Sequence, residues 1–343
     1  MKGNINSHMI VLAREARSLN QLELAGRIHM SATNLSKIER GDIGISEEVL
    51  EAIAEITSFP PHFFQQEGKI VPANLGYRRR QNVSQKLLLP INARTNIIRR
   101  HVQFLTQSLR IDPPVLPSFT ASDYEEARSI ASKLRKCWDL PPGPVDSLTS
   151  LLELKGIAVM SFDFGTERVD SRSLFTDEKH PIVFLNKKLL GDRQRFSLAY
   201  ELGQLVMHSF TDIAVHRDIG HEANLFAAEF LLPAQEIKKD FKRGVSLALL
   251  GELKKKWKVS MIALLYRADD LALVSPNQKR YLLQQFNQQQ IRRREPVELD
   301  VPAEQPSLIR KWIADYRAAT GLGFLEISAL LCLHIDEFLE LYS

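Results

Sequence analysis

The stretch RFSLAYELGQLVMHSF, residues 195–210, decides how the larger part of this chain is read. Its apolar positions (Phe196, Leu198, Ala199, Leu202, Leu205 and Val206) recur with the spacing of a helix buried on more than one side. Between them stand Tyr200, Glu201 and Gln204, spaced i, i+1 and i+4. Residues four apart share a helical face. Two histidines so placed, with a glutamate after the first, hold a zinc ion and activate its bound water. Here the glutamate position is filled by Glu201, but the two histidine positions carry Tyr200 and Gln204.

Working outward, IAVMSFDF (157–164) and PIVFLN (181–186) are rich in Val, Ile and Phe and bounded by turn signals, which predicts strands. A third strand is expected near Val169 to Phe175. Helices are expected over about 192–209, 221–231, 245–257, 259–273 and 276–290. Upstream, a long helix runs from about Ser84 to Leu109 and is broken by Pro113, Pro114 and Pro117. Further helices follow at 122–138 and 145–155, and the tail at 305–343 holds two or three more.

A second segment, HEANLFAAEFLLP (221–233), completes a pattern. Together the two segments resemble the ImmA/IrrE family of zincin-like metallopeptidases. Arg195, Phe196, Ala199, Glu201 and Gly203 match the family's first helix, and Glu222, Ala223, Asn224, Phe226, Ala227, Ala228, Leu231 and Pro233 match its second. The resemblance spans roughly residues 122–290, with WKVSMIALLYRA (257–268) and the early strands included. It implies a zincin-like α+β domain in which Glu222 takes the place of the third, carboxylate ligand.

The departures bear on chemistry. Tyr200 is a neutral phenol at pH 7, and the Gln204 carbonyl suits hard cations better than zinc. One carboxylate, Glu222, does not make the three protein ligands of a catalytic zinc. His208 lies one turn beyond Gln204 and reads as a structural histidine, with His216 and His221 nearby. The expectation is a pseudo-peptidase with no metal and no zinc cofactor. Tyr200, Glu201, Gln204 and Glu222 should converge in one degenerate cleft, with Tyr200 and Gln204 hydrogen-bonded to the two carboxylates.

The first 64 residues read differently. In LNQLELAGRIHMSATNLSKIERGD (19–42), two short helices flank a tight turn at His29 and Met30, with Ala25 small where they cross. Ser31 is placed to cap the second helix, Gly41 to stop it, and Ser46 to open another. The second helix would present Ala32, Thr33, Asn34 and Lys37 to base edges in the major groove. Gln21, at the start of the first, would bond a phosphate. Gln21, Leu24, Ala25, Ser31, Leu35, Ile38, Glu39, Arg40 and Gly41 closely resemble the Xre/Cro-type helix-turn-helix. That resemblance implies a double-stranded DNA operator as partner.

Composition sets the remaining bounds. The chain has 343 residues, net charge +4, 44% hydrophobic and 25% charged residues, as for a globular protein with two or three domains. Residues 1–68 carry six Lys/Arg against nine Asp/Glu, while 76–101 carry seven Lys/Arg and no acid. The head's basic residues Lys2, Arg14, Arg17, Arg27, Lys37 and Arg40 share one face if they are to offset its acids. Arg78, Arg79 and Arg80 are a possible basic contact with phosphate, or an interdomain ion-pair network. Arg94, Arg99 and Arg100 share no narrow stripe, so part of that helix should face DNA or an acidic protein surface. Lys254, Lys255, Lys256 and Lys258 around Trp257 read as a solvated helix face. Cys137 and Cys332 read as core or partly buried thiols, and two cysteines make no disulfide framework. No apolar run suits a membrane span and the start MKGNINSHM has no leader character, so a cytoplasmic protein is expected.

The fold class expected is mainly α with a small β-sheet (α+β). Its parts are a helix-turn-helix head at 1–67, a basic linker and connecting helix at 68–120, an ImmA/IrrE-like pseudo-metallopeptidase domain at 121–295, and a helical tail at 296–343. Three functions fit. One is a DNA-binding regulator, expected as a homodimer because one recognition helix reaches few bases. The family resemblance implies an antitoxin-like, autorepressing role for it, with the cleft or tail gripping a cognate protein or toxin. The second is an active zinc peptidase that cleaves a repressor or itself. The third is an interaction scaffold that uses the head only to dimerise.

Overall fold

The computed structural model describes residues 5–68, 70–72, 77–79, 83–119, 124–209 and 217–343. The head is four helices, α1 (Ser7–Ala16), α2 (Gln21–Arg27), α3 (Ala32–Arg40) and α4 (Glu47–Thr57), closed by a 3-10 turn at Pro61–Gln65. The caps are those that the sequence predicts. Ser31 Oγ accepts from Asn34 N, Ser46 Oγ accepts from Val49 N, and Gly41 ends α3 at φ 75°.

Beyond the head, a short strand β1 (Tyr77–Arg79) precedes the 25-residue helix α5 (Gln85–Leu109). Then come α6 (Tyr124–Cys137), α7 (Leu148–Leu154), β2 (Ala158–Phe162), β3 (Val169–Phe175) and β4 (Pro181–Asn186). The helices α8 (Gly191–Met207), α9 (Ile219–Leu231), α10 (Ala234–Asp240), α11 (Leu247–Trp257), α12 (Met261–Asp270) and α13 (Pro276–Gln288) complete the larger domain. The tail is α14 (Leu308–Thr320), α15 (Phe324–Leu330) and α16 (Ile335–Tyr342).

The sheet has the order β1-β3-β4-β2. β2 and β4 run parallel, and β3 is antiparallel to both β4 and β1. Every residue of β4 is buried, because both faces of the sheet are covered. Ala158, Met160, Phe162, Ile182 and Phe184 face a core shared with the head, α5 and the tail. Val159, Val183 and Leu185 face the opposite core, shared with α6 to α13. The sheet is thus the middle layer of the molecule, with the candidate site on one side and the head on the other.

Several readings need correction. The linker at 68–83 contains β1, which pairs Tyr77 with Arg172 and Arg78 with Ser171 before its register shifts at Arg79. Three residues are too few to show alternation, and the partner edge is supplied by a strand 90 residues away in sequence. Helix α10 likewise falls between the helices expected at 221–231 and 245–257. The arginines of α5 bind inward rather than facing DNA. Arg94 donates to the Asp163 carbonyl at 2.9 Å and lies over Phe162. Arg99 is 2% exposed and reaches the Phe175 carbonyl and Asp177. Arg100 binds Gln66 at 2.8 Å and the Glu67 carbonyl. Lys254 is buried between Asp192 (2.6 Å) and Glu295 (2.7 Å), so the lysine run is only partly solvated. Cys332 is buried as expected, whereas Cys137 is exposed.

The tail fastens the head. Arg17 forms a two-point ion pair with Glu337 at 3.0 and 2.7 Å. His62 bonds the Ala329 carbonyl at 2.9 Å, and Gln66 donates to Cys332 Sγ at 2.7 Å. On α5, His101 meets the Tyr342 hydroxyl at 2.7 Å, and burial pushes its pKa down to about 4. Among the described residues no helix is long and apolar enough to cross a membrane.

Candidate functional site

In the head, α2 and α3 pack through Leu24, Ala25, Leu35 and Ile38, all buried. His29 takes φ 52° in the turn between them, and Met30 N closes it on the Ala25 carbonyl at 2.9 Å. On α3, Thr33, Asn34, Lys37 and Arg40 are exposed and Ala32 is half-buried. Ser31 is exposed with its hydroxyl occupied by the cap. Thr33, Asn34 and Lys37 stand at i, i+1 and i+4, one solvent-facing stripe.

The head's basic face is narrower than expected. Arg14 is buried and paired with Glu39 through two bonds of 2.6 and 3.0 Å, and Arg17 is held by Glu337 and the Thr57 carbonyl. Arg27, Lys37 and Arg40 remain exposed, with Arg40 also donating to Asp42 at 2.8 Å. Gln21 donates its amide to Glu39 at 2.7 Å, so that N–H group braces α2 against α3. Lys2 lies outside the described residues.

The larger domain holds the second constellation, where α8 crosses α9. The crossing is close. A Cβ at Gly203 would stand 2.9 Å from the Phe226 ring, so only glycine lets the helices meet here. Tyr200, Gln204 and His208 follow one another along the face of α8 that looks at α9. Gln204 Nε2 donates to the Tyr200 hydroxyl at 3.1 Å, and Gln204 Oε1 meets His208 Nδ1 at 2.9 Å. His208 Nε2 reaches Glu222 Oε2 at 2.8 Å. Arg217 then closes the chain on Glu222 with bonds of 2.9 and 2.5 Å.

The electrostatics of this chain are balanced. Glu222 is 1% exposed. Burial would raise its pKa, but the hydrogen bonds from Arg217 and His208 outweigh that and hold it below the usual carboxylate range. Burial lowers the His208 pKa against the pull of Glu222, which favours a neutral imidazole donating from Nε2. Its Nδ1 then accepts from the Gln204 amide once that amide is turned end for end, and the Tyr200 hydroxyl donates to Gln204 Oε1. Tyr200 is held protonated, its pKa raised by burial and by Glu201.

Glu201 does not join this chain. One residue further round the helix, it faces the sheet and accepts from Ser171 Oγ and Ser173 Oγ of β3, each at 2.7 Å. It is 0% exposed, and burial pushes its pKa up to about 7. The expectation that Tyr200 and Gln204 bond the two carboxylates is therefore wrong. Tyr200 and Gln204 bond each other, Ser171 and Ser173 hold Glu201, and His208 and Arg217 hold Glu222.

Arg78 is likewise no free phosphate clamp. Its guanidinium donates to Ser197 Oγ at 2.6 Å, lies 3.4 Å from Asp170, and stacks over Phe196 and Tyr200. Arg79 contributes backbone to β1, while Arg80 and His216 lie outside the described residues. His221 sits apart, edge-on to Tyr124. Sequence reasoning missed Arg217, Ser171 and Ser173 as members of the site. Only Arg217 left a trace, as a cation five residues before the carboxylate of the matched second helix. Among the described residues no cluster of three or more His, Cys, Asp or Glu is arranged to hold a metal ion.

Two comparisons with known families agree with this geometry. Residues 10–64 match the model of the helix-turn-helix family. Residues 152–269 match that of the M78 peptidase family, the IrrE N-terminal-like domain, which takes in β2 to α12 and both helices of the polar chain. No curated protein matches the chain. The chain therefore joins a DNA-binding helix-turn-helix domain at 10–64 to an IrrE N-terminal-like domain at 152–269.

Proposed function

We propose that this protein is a transcriptional regulator, antitoxin-like and autorepressing, whose peptidase-like domain binds a partner protein without hydrolysing it. The observation that carries the reading is Arg217. A guanidinium sits on both oxygens of Glu222, supplying the positive charge that a zinc ion would bring to a third-ligand carboxylate. The rest of the donor set fits zinc poorly. Tyr200 is a phenol kept protonated, and Gln204 is a neutral amide committed on both ends to Tyr200 and His208. The polar groups of Tyr200, Gln204, His208 and Glu222 each have a partner within the chain, which supports a cleft held together without an ion.

At the head, Asn34 and Thr33 are the base-reading side chains in this proposal, and Lys37 and Arg40 the phosphate contacts. The functional form is a homodimer, since paired recognition helices one DNA turn apart supply the contacts that one helix lacks. The test is a gel shift with the DNA upstream of the protein's own gene, alongside metal analysis of the purified chain. Specific retardation with well under one zinc per chain is expected. About one zinc per chain together with chelator-sensitive peptide cleavage would replace this reading with that of an active peptidase. Absence of any shift at low salt would leave only a scaffold.

A further inference from the structure

A groove of about 1790 Å³ runs along the outer side of the larger domain. It starts beside the polar chain, where Phe196 precedes Tyr200 by one turn and Asn224 flanks Glu222, and it continues between α9 and α12 to residues 287–295. Small-molecule sites are about 300–1,000 Å³, so this groove is sized for a polypeptide segment. Its wall exposes apolar side chains that a monomer gains nothing by exposing. Leu190 is 38% and Tyr266 47% exposed, with Phe196 and Leu225 half-buried beside them.

The charges of the groove are unequal. Asp192 and Glu295 are taken by Lys254, Asp269 by Lys279, and Asp270 by Arg128 and Arg267. Lys188 is taken by Asp163, Arg193 by Asp170, and Arg294 by Asp300. Arg292 and Arg293 are exposed and have no carboxylate partner among the described residues; Arg292 reaches only the Asn287 amide, at 3.4 Å. Glu167, from the β2–β3 turn, is the one lining carboxylate without an ion pair among them. The surplus is positive and falls on two residues adjacent in sequence, which line the same groove as the apolar wall.

We infer that this groove is the docking site for an acidic, amphipathic segment of a partner protein, its apolar side chains on Leu190, Leu225 and Tyr266 and its carboxylates on Arg292 and Arg293. The inference deepens the proposed function and rests on its partner-binding half. Paired guanidiniums give a carboxylate directional, two-point bonds. The apolar wall separates this partner from nucleic acid, whose backbone would leave it uncovered.

The experiment is selection of a phage-displayed library of random 16-residue peptides against the full chain, followed by anisotropy titration of the enriched sequence as a labelled peptide. Enriched peptides should combine at least two carboxylates with aromatic or branched apolar residues. Arg292→Glu with Arg293→Glu should weaken the binding at least tenfold, Tyr266→Ala severalfold, and added salt progressively. All three positions are exposed, so these variants should fold. Enriched peptides that are neutral or basic, or that bind these variants as well as the parent, would overturn the groove. If such peptides instead lose binding on Tyr200→Phe, which does not line the groove, the groove fails but partner binding by the domain stands. No enrichment would count against both. Loss of duplex-DNA affinity in the double arginine variant, with peptide binding unchanged, would reassign the two arginines to DNA.

Discussion

Replacing Arg217 by Met removes the charge that faces Glu222 while leaving much of the side-chain volume. Glu222 is 1% exposed, and its remaining partner among the observed bonds is His208 at 2.8 Å. Removing one member of a fully buried ion pair costs about 3–5 kcal/mol. The Arg217 side chain is 17% exposed and water reaches it from one side, so a loss of about 2–3 kcal/mol is expected after that discount. At about 2–4 °C per kcal/mol for a unit of this size, the thermal midpoint should fall by about 4–12 °C. The loss should be greatest near pH 7 and shrink below pH 5. Glu222 has a lowered pKa in the folded chain, so its pairing stabilises above the unfolded value of about 4.5 and is lost as pH falls through the folded value. Adding Glu222→Gln to Arg217→Met should return part of the loss, because the uncompensated charge is gone. Differential scanning calorimetry of the parent, the single variant and the double variant decides it. A double variant no more stable than Arg217→Met alone would refute the charge-replacement reasoning.

Other outcomes follow from the same geometry. Tyr200→His with Gln204→His should bind zinc weakly while Arg217 holds Glu222, and adding Arg217→Ala should tighten it at least tenfold by calorimetric titration. Asn34→Ala should cost about 1–3 kcal/mol in operator affinity and relax specificity at one position, read by gel shift on a panel of base changes. Gly203→Ala drives a methyl into Phe226 at 2.9 Å and should destabilise by about 1–3 kcal/mol in thermal unfolding, as overpacking does. Acid should loosen the tail. His101 is buried against Tyr342 with Glu337 and Arg100 near, and its pKa is lowered from 6.5 to about 4. That neutral histidine stabilises the fold in full above pH 6.5, and the contribution is lost as pH falls from 6.5 towards 4. Hydrogen exchange should show protection of Ile335–Tyr342 declining over that window, and His101→Gln should flatten the change.

Where local chemistry governs, the sequence was readable. The Ser31 and Ser46 caps, the Gly41 stop and strands β3 and β4 lie where turn signals and side-chain periods place them. What was not readable depended on partners far along the chain. Arg94, Arg99 and Arg100 look like a basic face until the carbonyls and carboxylates of β2–β4 and the head are brought to them. The i, i+4 spacing puts Tyr200 and Gln204 on one face and the resemblance adds Glu222, but neither says anything of Arg217 or of the serines on β3. The motif spacing puts Glu201 in the same cleft, but one helical step of 100° from Tyr200 turns its carboxylate to Ser171 and Ser173 of the sheet.

The Arg17–Glu337 pair joins residues 320 positions apart, and this has a consequence for synthesis. During translation the head, whose contacts are local, can fold within moments of leaving the ribosome. Its seat against α5 and the tail is completed only when Leu308–Tyr342 has emerged, 277 residues after Gln65 ends the head (342 − 65). At about 5–20 residues per second, that leaves roughly 15–60 s in which the reading head is folded but not yet fastened. In that interval the exposed α3 face is already formed, while the bonds of the head to Glu337, Ala329 and Cys332 have yet to be made.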